Sequence, residues 1–333
     1  MSSVALPLLI AVALVLSAVL SPALLSRAAP VLACVPRLAI GLLLGGAALW
    51  LLAAAAIALA LAWVLSGPRL LPTTYGDVCQ ACLAASSPFS PDSTLATPLP
   101  VITLLVLPAA ALAILLLRGV HTLLQRRRDT ALEHTAVRSA AEGTELRGRR
   151  VLMLSDPTPI AFALPRRRGG IVVSTGLVES LTAAELDAVL EHEHTHLRQR
   201  HHLILAVLTA FVLPLRRIPL YDVVLEAVPH YVEIAADHSA RGQCGTPALA
   251  AALLKIGEHR HRPMSSMRPD PTVPLLHVAG PDRIGHLVAP TSTGAAWMPL
   301  AALLGMTLAL ATATVAVHGP YLLLLLRGCG LPV

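Results

Sequence analysis

Long apolar runs alternate with one polar stretch along this chain of 333 residues. A helix needs about 20 consecutive apolar residues to cross the hydrocarbon core of a bilayer. Four runs approach or exceed that length, and they cover residues 4–25, 38–65, 101–117 and 295–317. The third run is the shortest, and we expect Pro108 to kink it. The pattern therefore predicts four transmembrane helices and a short apolar tail.

A signal peptide is the alternative interpretation of the first run. Such a leader has a basic start and a shorter apolar core, whereas no Lys or Arg precedes Arg27 here. The pattern therefore favours a retained transmembrane helix.

A fifth apolar segment, residues 203–215, is too short for an ordinary crossing. Arg216 and Arg217 follow it directly. This length suits a buried or membrane-resting helix better than a crossing. A crossing would reverse the side of everything after it.

Charged residues gather between the third and fourth runs. Only 13% of the chain is charged, about half of the fraction typical of soluble domains. Residues 118–294 hold 21 of the 25 Lys and Arg and 17 of the 19 Asp and Glu. We predict a water-facing domain there, between a membrane region (1–117) and a final helix with its tail (295–333). The small cationic excess favours closeness to anionic lipid headgroups over direct nucleic-acid binding.

The cations that flank the runs predict an orientation. Arg118 and the Arg triplet 126–128 follow the third run, which places that end in the cytoplasm. Arg27 and Arg37, between the first two runs, fit the same side. We expect a multi-pass protein of the plasma membrane with its N-terminus outside and residues 118–294 in the cytoplasm.

Local signals within residues 118–294 indicate both strands and helices. Residues 160–164 and 171–174 are β-leaning and predict a hairpin. Thr182 and Glu185 form a capping box, which predicts a helix from Ala183.

Two prolines also suit the first turns of later helices, Pro229 and Pro247. The fold class is thus a mainly α membrane protein with four transmembrane helices and an α+β domain inserted before the last.

The segment His192-Glu193-x-x-His196 carries the clearest chemical signal. Two His four residues apart on a helix share a face and can converge on one zinc ion, about 2 Å from each. The Glu after the first His then lies beside the water at the metal and can take its proton. We predict His192 and His196 as ligands and Glu193 as the catalytic base.

A helical wheel separates these three residues from their neighbours. At about 100° per residue they lie along the edge of an apolar leucine stripe, where unpaired burial would be costly. His194 and Glu191 point elsewhere, and we interpret both as bystanders. A chance cluster among the 14 His of the chain is the alternative.

A catalytic zinc site needs a third protein ligand. Glu233 and Asp237 lie four residues apart on a predicted helix, among apolar neighbours. Glu233 can complete the ligand set, and Asp237 can accept the outer ring proton of a ligating His. A solvated acidic face is the alternative.

Two further groups leave their roles open. Tyr231, His230 and His238 are close in sequence to Glu233, and each is a candidate for stabilising an oxyanion or for a structural role. Cys79 and Cys82, in the predicted outside loop, fit a redox pair, a disulfide, a weak metal site or incidental thiols.

Three segments resemble the membrane zinc metallopeptidases of the BlaR/MecR type, which are related to the HtpX-type proteases and the wider gluzincins. The segments are residues 159–165 with 171–177, residues 185–201 and residues 233–237. The resemblance implies a cytoplasmic gluzincin-like domain that holds one zinc ion through His192, His196 and Glu233, with Glu193 as the base and Asp237 behind the ligands. It also implies that the strand of residues 171–175 lies along the cleft and pairs with substrate backbone.

The best-known members of that family cleave a repressor when an antibiotic is sensed. Nothing large follows the last apolar run here, so we expect no penicillin-binding sensor domain. The expected function is zinc-dependent hydrolysis of peptide bonds in a cytoplasmic or membrane-proximal protein, such as a transcriptional repressor in signal-responsive regulation, or in the chain itself.

There are two alternative functions. One is a non-catalytic zinc-binding membrane sensor or scaffold. The other is a transporter, which would carry ionisable residues within its spans, and the four runs contain none. The expected partners are therefore a protein substrate and the lipid bilayer.

Overall fold

The computed structural model describes residues 5–66, 98–165, 170–260 and 297–327. Cys79 and Cys82 lie outside these ranges. The helices are α1 (Ala5–Cys34), α2 (Pro36–Ser66), α3 (Pro98–Ala140), α4 (Thr175–Ser180), α5 (Ala183–Arg198), α6 (His201–Val207), α7 (Pro219–Cys244), α8 (Thr246–Arg260) and α9 (Trp297–Arg327). Between α3 and α4 run β1 (Ala141–Leu146), β2 (Arg149–Leu154), β3 (Ala161–Ala163) and β4 (Ile171–Ser174).

Four helices are long and apolar enough to cross a membrane, which confirms the predicted fold class. By length and composition, the candidate spans are Leu8–Cys34, Pro36–Ala58, Val106–Ala140 and Trp297–Val317. The helices themselves continue beyond the predicted runs, because Leu, Ala and Arg all favour helix whether lipid or water surrounds them. Helix α3 passes unbroken through Arg118 to Ala140. The division of the chain at residues 117 and 294 stays a prediction.

The sheet has the strand order β1-β2-β4-β3. Strands β1 and β2 form an antiparallel hairpin around Arg147 and Gly148, both with positive φ (54° and 73°). Such a two-residue turn matches the twist of the strands that it joins. Strands β2 and β4 are parallel, and β3 pairs with β4 antiparallel. The predicted hairpin of residues 160–164 and 171–174 is confirmed.

Strand β4 is an internal strand of this sheet. It pairs with β2 on one side and β3 on the other. The expectation that residues 171–175 pair with substrate backbone is therefore wrong, because β2, a strand not predicted from the sequence, occupies the second side. The edge strand on this side of the sheet is β3, which contacts α5.

The start of α5 follows the predicted capping box. The Thr182 side chain accepts from the Glu185 N–H, and the Thr182 N–H donates to Glu185 Oε2 at 2.7 Å. Pro247 lies in the first turn of α8, as predicted. Pro229 does not begin a helix, and this prediction was wrong.

Pro219 starts α7 instead, and Pro229 lies within it. A mid-helix proline removes one backbone hydrogen bond. Here the apolar face of α7 around it is buried against the membrane helices, and this packing holds the helix together.

Helix α7 lies between α5 and the long apolar helices α1 and α2. One of its sides packs on α5, and another packs on the hairpin formed by α1 and α2. A single apolar cluster joins α7 to that hairpin and includes Leu25, Leu32, Ile40, Val224 and Val228. The region that contains the sheet and α5 is therefore joined through α7 to the core of the apolar helices.

The apolar segment 203–215 forms three short helical pieces. Helix α6 continues into a π-helical turn (Leu208–Val212) and a 3₁₀ turn (Leu213–Leu215). The Phe211 ring packs so closely on Gly119 of α3 that a Cβ there would overlap it. This segment is shorter than the four candidate spans, and its position relative to the membrane stays a prediction.

Candidate metal centre

Helix α5 carries His192, Glu193 and His196 into a buried position. Below them, Leu186, Leu190 and other apolar residues of α5 pack on the sheet. His192 and Glu193 are 6% and 5% exposed, although their side chains are strongly polar. Burial of such groups is stable only when they are paired or bind a metal.

Glu233 of α7 meets the two imidazoles. The Nε2 atoms of His192 and His196 lie 3.1 Å apart. Glu233 Oε2 lies 3.6 Å from His192 Nε2, and Glu233 Oε1 lies 3.6 Å from His196 Nε2. Tetrahedral ligands with bonds of about 2.0–2.1 Å lie about 3.3 Å apart. The three side chains are therefore spaced as the ligands of one metal ion are, and they could hold one.

Asp237 holds the outer side of the His192 ring. Its Oδ1 lies 3.0 Å from His192 Nδ1, and both side chains are buried. Burial works to lower the pKa of His192, but Asp237 and Glu233 outweigh it and raise this pKa to about 10. The cluster thus favours a positive charge at this point, supplied by a proton or by a metal ion.

His201 holds the outer side of the His196 ring in the same way. Its Nδ1 lies 2.9 Å from His196 Nδ1, and its Nε2 lies 3.2 Å from Gln199 Oε1. Burial lowers the pKa of His201 to about 4, so the ring is neutral near pH 7. An amide oxygen only accepts hydrogen bonds, so His201 Nε2 carries the ring proton and donates it to Gln199. His201 Nδ1 then accepts a hydrogen bond from the protonated His196 Nδ1. That tautomer leaves His196 Nε2 free of a proton and turned toward Glu233.

The role of His201 was not predicted from the sequence. It lies nine residues after His192, beyond the reach of the four-residue spacing that marks the other two histidines. A break in the helix at Arg200, whose φ is +54°, turns the chain so that His201 folds back onto His196. The signal available in the sequence was a polar residue at the head of an apolar segment.

Glu191 is not among the clustered ligands, but it is buried and has a structural role that the sequence did not reveal. Its carboxylate accepts from Arg149 Nη2 at 2.6 Å, from Ser239 Oγ at 3.0 Å and from Gln243 Nε2 at 2.7 Å. Burial alone would raise the pKa of Glu191, but Arg149 and Ser239 hold it below its usual value. Glu191 thereby joins β2, α5 and α7 behind the metal cluster. His194 is half-buried and is not among the clustered ligands.

The three oxyanion candidates separate in the structure. Tyr231 is buried in the apolar cluster between α7 and the membrane helices, about 160° around α7 from Glu233. Burial raises the pKa of its hydroxyl to about 12. His238 lines a cavity beside the turn between α1 and α2. His230 lies on the same side of α7 as Asp237, about 20° from it, and contacts the Tyr231 ring edge-on.

Two imidazoles and a carboxylate that converge in a buried cluster, with a further Glu beside them, define a metallopeptidase-like centre. Residues 123–239 match the model of Peptidase family M48. "Protease HtpX homolog" of Moorella thermoacetica is 40% identical over 80 residues, which are 23% of this chain and 27% of that protein. "Protease HtpX homolog 2" of Methanosarcina mazei is 30% identical over 141 residues, which are 32% of this chain and 48% of that protein.

The chain thus spans about half or less of the length of these relatives. No solved structure gives a significant match. Residues 123–239 are therefore similar to peptidases of family M48, and four helices of the same chain are long and apolar enough to cross a membrane. The narrower resemblance to the BlaR/MecR type stays a prediction.

Proposed function

We propose that this protein is a zinc-dependent endopeptidase that hydrolyses peptide bonds of a cytoplasmic or membrane-proximal protein. The observation that carries the proposal is the spacing of His192, His196 and Glu233, whose ligand atoms all lie within 4.8 Å of one another. Nitrogen and carboxylate donors in a near-tetrahedral set suit zinc. A zinc ion bound there would act as a Lewis acid, which would lower the pKa of a bound water and polarise a peptide carbonyl.

The remaining chemistry belongs to residues of the chain. Glu193 follows His192 directly on α5 and is buried with it. It acts as the general base that takes a proton from the attacking water and as the acid that returns it to the leaving amine. Asp237 and His201 orient the two imidazoles, so that both present Nε2 toward Glu233.

The open edge of β3 is the seat that we propose for the substrate backbone. The Leu164 N–H donates to Gly170 O at 2.8 Å, and the Ser174 N–H donates to Ile160 O at 3.0 Å. In antiparallel strands, every second residue forms backbone hydrogen bonds with the partner strand. Ile160, Phe162 and Leu164 therefore direct their backbone N–H and C=O groups to β4. Ala161 and Ala163 direct theirs outward. An extended substrate that adds a strand here would pair with those two residues.

The cytoplasmic position of the site, and a repressor or the chain itself as substrate, are part of this proposal. Their support is the row of cations on α3, where Arg118 and the triplet 126–128 follow the apolar half of the helix. Cations collect on the cytoplasmic side of transmembrane segments. A protein substrate that reaches this site would meet it close to the bilayer.

Replacement of Glu193 tests the reaction. The full-length protein in lipid nanodiscs is loaded with zinc and incubated with unfolded casein and with fluorogenic peptides. Glu193→Gln is expected to keep one zinc per chain and to lose at least about 1,000-fold in kcat, since it removes the proton carrier. Glu179→Gln, an exposed acid of α4, is the matched control and should cleave normally.

Cleavage at the normal rate by Glu193→Gln would refute the mechanism. Zinc bound with no cleavage by the wild-type protein would favour the non-catalytic sensor or scaffold. Comparison of fragments in cells that carry wild-type or Glu193→Gln protein then identifies the substrate.

A further inference from the structure

The metal centre depends on how α7 is placed along α5, because the two helices supply its ligands from opposite sides. His192 and His196 come from α5, and Glu233 comes from α7. A helix rises about 1.5 Å per residue, so a slip of α7 by a single residue would move the Glu233 carboxylate away from the two imidazoles. The register between α5 and α7 must therefore be fixed for the three ligands to converge.

The apolar contacts of α7 do not fix this register by themselves. Ala188 of α5 and Ala240 of α7 are fully buried in one small cluster, and another side of α7 packs on α1 and α2. Apolar attraction is non-directional and depends on the area that is buried. Alanine side chains are also too small to interlock strongly along a helix pair. A directional contact between the helices is needed as well.

Glu191 provides such a contact. Its side chain lies on α5 directly before His192 and is only 1% exposed. From α7, Ser239 donates its hydroxyl proton to Glu191 Oε1 at 3.0 Å, and Gln243 Nε2 donates to the same oxygen at 2.7 Å. These two donors lie four residues apart and so share one face of α7. The carboxylate therefore binds two successive turns of the helix that carries Glu233.

Ser239 is also held from a second point on α5. Its Oγ accepts a hydrogen bond from Arg198 Nη2 at 3.0 Å while it donates to Glu191. Glu191 and Arg198 are about two helical turns apart along α5. A slip of α7 in either direction would lengthen one of these two hydrogen bonds.

Glu191 is in turn anchored to the sheet and to its own helix. Arg149 of β2 donates from Nη2 to Glu191 Oε2 at 2.6 Å, and its Nη1 donates to Leu190 O at 3.4 Å. Thr195 Oγ1 donates to the backbone oxygen of Glu191 at 3.0 Å. One carboxylate oxygen thus binds the sheet and the other binds α7. A buried polar network with its partners in place favours one arrangement of the elements that it joins.

This contact lies on the flank of α5 that is turned away from Glu193. At about 100° per residue, with His192 at 0°, His196 lies at about 40°, Ala188 at about −40° and Glu191 at about −100°. Glu193 lies at about +100° on the same wheel. The two ligands, the alanine contact and Glu191 therefore form one continuous face toward α7. Glu191 supports that face from behind and points away from the general base.

We propose that Glu191, Ser239 and Gln243 form a register clamp, which positions Glu233 against the two imidazoles before a metal ion binds. The inference rests on the proposed zinc-dependent function, because zinc is the ion that the clamp prepares the site for. The three are positioning residues, since they act on the metal ligands through α5 and α7. A site whose ligands are already ordered binds more tightly than one that must be ordered on binding.

The test measures the zinc affinity of the full-length protein in phosphatidylcholine nanodiscs by competition with a chromogenic chelator. Ser239→Ala combined with Gln243→Ala removes both donors on α7 and keeps the Arg149–Glu191 ion pair. We expect zinc affinity to fall about tenfold, similar to the loss of other outer partners of metal ligands. Cobalt bound in place of zinc should also show an altered visible absorption spectrum, because that spectrum depends on ligand geometry.

An exchange of the two groups across the helix pair separates a directional bond from simple packing. Gln243→Glu places a second carboxylate beside Glu191, and the repulsion should weaken zinc binding at least as much as the alanine variant does. Glu191→Gln in that background again places one amide opposite one carboxylate. It should return zinc affinity to within about threefold of the wild-type value, because the charge-assisted bond is restored. A loss caused only by altered packing would not be recovered.

Lys255→Met is the matched control. Lys255 Nζ lies 2.7 Å from Glu185 Oε2, so this ion pair joins α5 to α8 and leaves α7 aside. The variant should lower the unfolding temperature but keep the zinc affinity and the cobalt spectrum of the wild type. An equal loss of zinc affinity in Lys255→Met would overturn the clamp, and so would unchanged affinity in a folded Ser239→Ala, Gln243→Ala protein.

Failure of the proposed function gives a different result. Wild-type protein that binds zinc but cleaves no peptide would refute the peptidase, while the comparison of zinc affinities would still decide on the clamp. Wild-type protein that binds no zinc would refute the metal centre and overturn the clamp with it.

Discussion

His196 Nδ1 lies 2.9 Å from His201 Nδ1, so one histidine sets the protonation of another across a break in the helix. The neutral His201 ring accepts a hydrogen bond from His196 Nδ1, which keeps the proton on the outer side of the His196 ring. His196 Nε2 then carries the lone pair that a metal requires.

Replacement of His201 by Phe is expected to weaken zinc binding about 10- to 100-fold, the usual cost when a partner of a ligating His is removed. Competition with a chromogenic chelator measures this affinity. His121→Phe, an exposed histidine of α3, serves as the control. Unchanged zinc affinity in a folded His201→Phe protein would show that His201 only fills space.

Asp237→Asn tests the other imidazole. The amide keeps the shape of the carboxylate but removes its charge, so His192 loses part of the support for a positive charge at 3.0 Å. We expect zinc affinity to fall about 10- to 100-fold. Asp222→Asn, an exposed acid in the first turn of the same helix, should leave it unchanged. Equal affinities for Asp237→Asn and wild type would remove Asp237 from the site.

Without zinc, the stability of the protein should depend on pH through His192. Its pKa is raised from about 6.5, the value for an unfolded chain, to about 10 in the folded protein. Such a group contributes stability that is fully present below pH 6.5 and is lost as pH rises through 10. Thermal unfolding of the metal-free protein is therefore expected at lower temperature at pH 9.5 than at pH 6.5.

Bound zinc takes the place of the proton, so the zinc-loaded protein should lose less stability over the same pH range. His192→Gln in the metal-free state should also remove the dependence. A dependence of equal size in metal-free wild type and His192→Gln would assign it to other groups.

Strand β3 provides a test of the proposed substrate seat. Ala163→Pro removes a backbone N–H that points to the open edge, and an edge strand tolerates this change. We expect kcat/KM to fall about tenfold, with little change in the unfolding temperature. Phe162→Pro removes an N–H directed to β4 and should instead destabilise the protein. Equal loss of stability in the two variants would contradict the assigned edge.

The parts of this molecule that follow from the sequence are local. The capping box at Thr182 and the spacing of His192 and His196 need only one helix to be interpreted, and both helix and cluster are present. Glu233 could be predicted because an acid among apolar neighbours must find a partner. In each case a rule over a few residues was sufficient.

The parts that the sequence did not reveal depend on contacts between distant segments. Strand β1 is mainly polar, and β2 is a pair of arginines followed by four apolar residues, so neither strand shows the alternation that would reveal it; β2 is what makes β4 internal. The hydrogen bond from the Tyr221 hydroxyl to the backbone oxygen of Ala47 joins residues 174 positions apart. Apolar residues of α2 before Ala47 look like membrane span in the sequence, but they are buried by α7. Hydrophobicity alone does not distinguish lipid from protein as the covering surface.

The contact between Gly119 and Phe211 should determine how the segment 203–215 docks on α3. A Cβ at residue 119 would overlap the Phe211 ring, so Gly119→Leu must displace that ring. We expect a loss of about 1–3 kcal/mol in the free energy of unfolding, as in other overpacked sites. Gly41→Leu, where a Cβ meets nothing within 4 Å, is the matched control.

Because α6 carries His201 at its start, the displacement of the Phe211 ring should also weaken zinc binding. Phe211→Ala in the Gly119→Leu background should restore the zinc affinity. Zinc affinity that is unaffected by Gly119→Leu would show that the docking of this segment and the metal centre are independent.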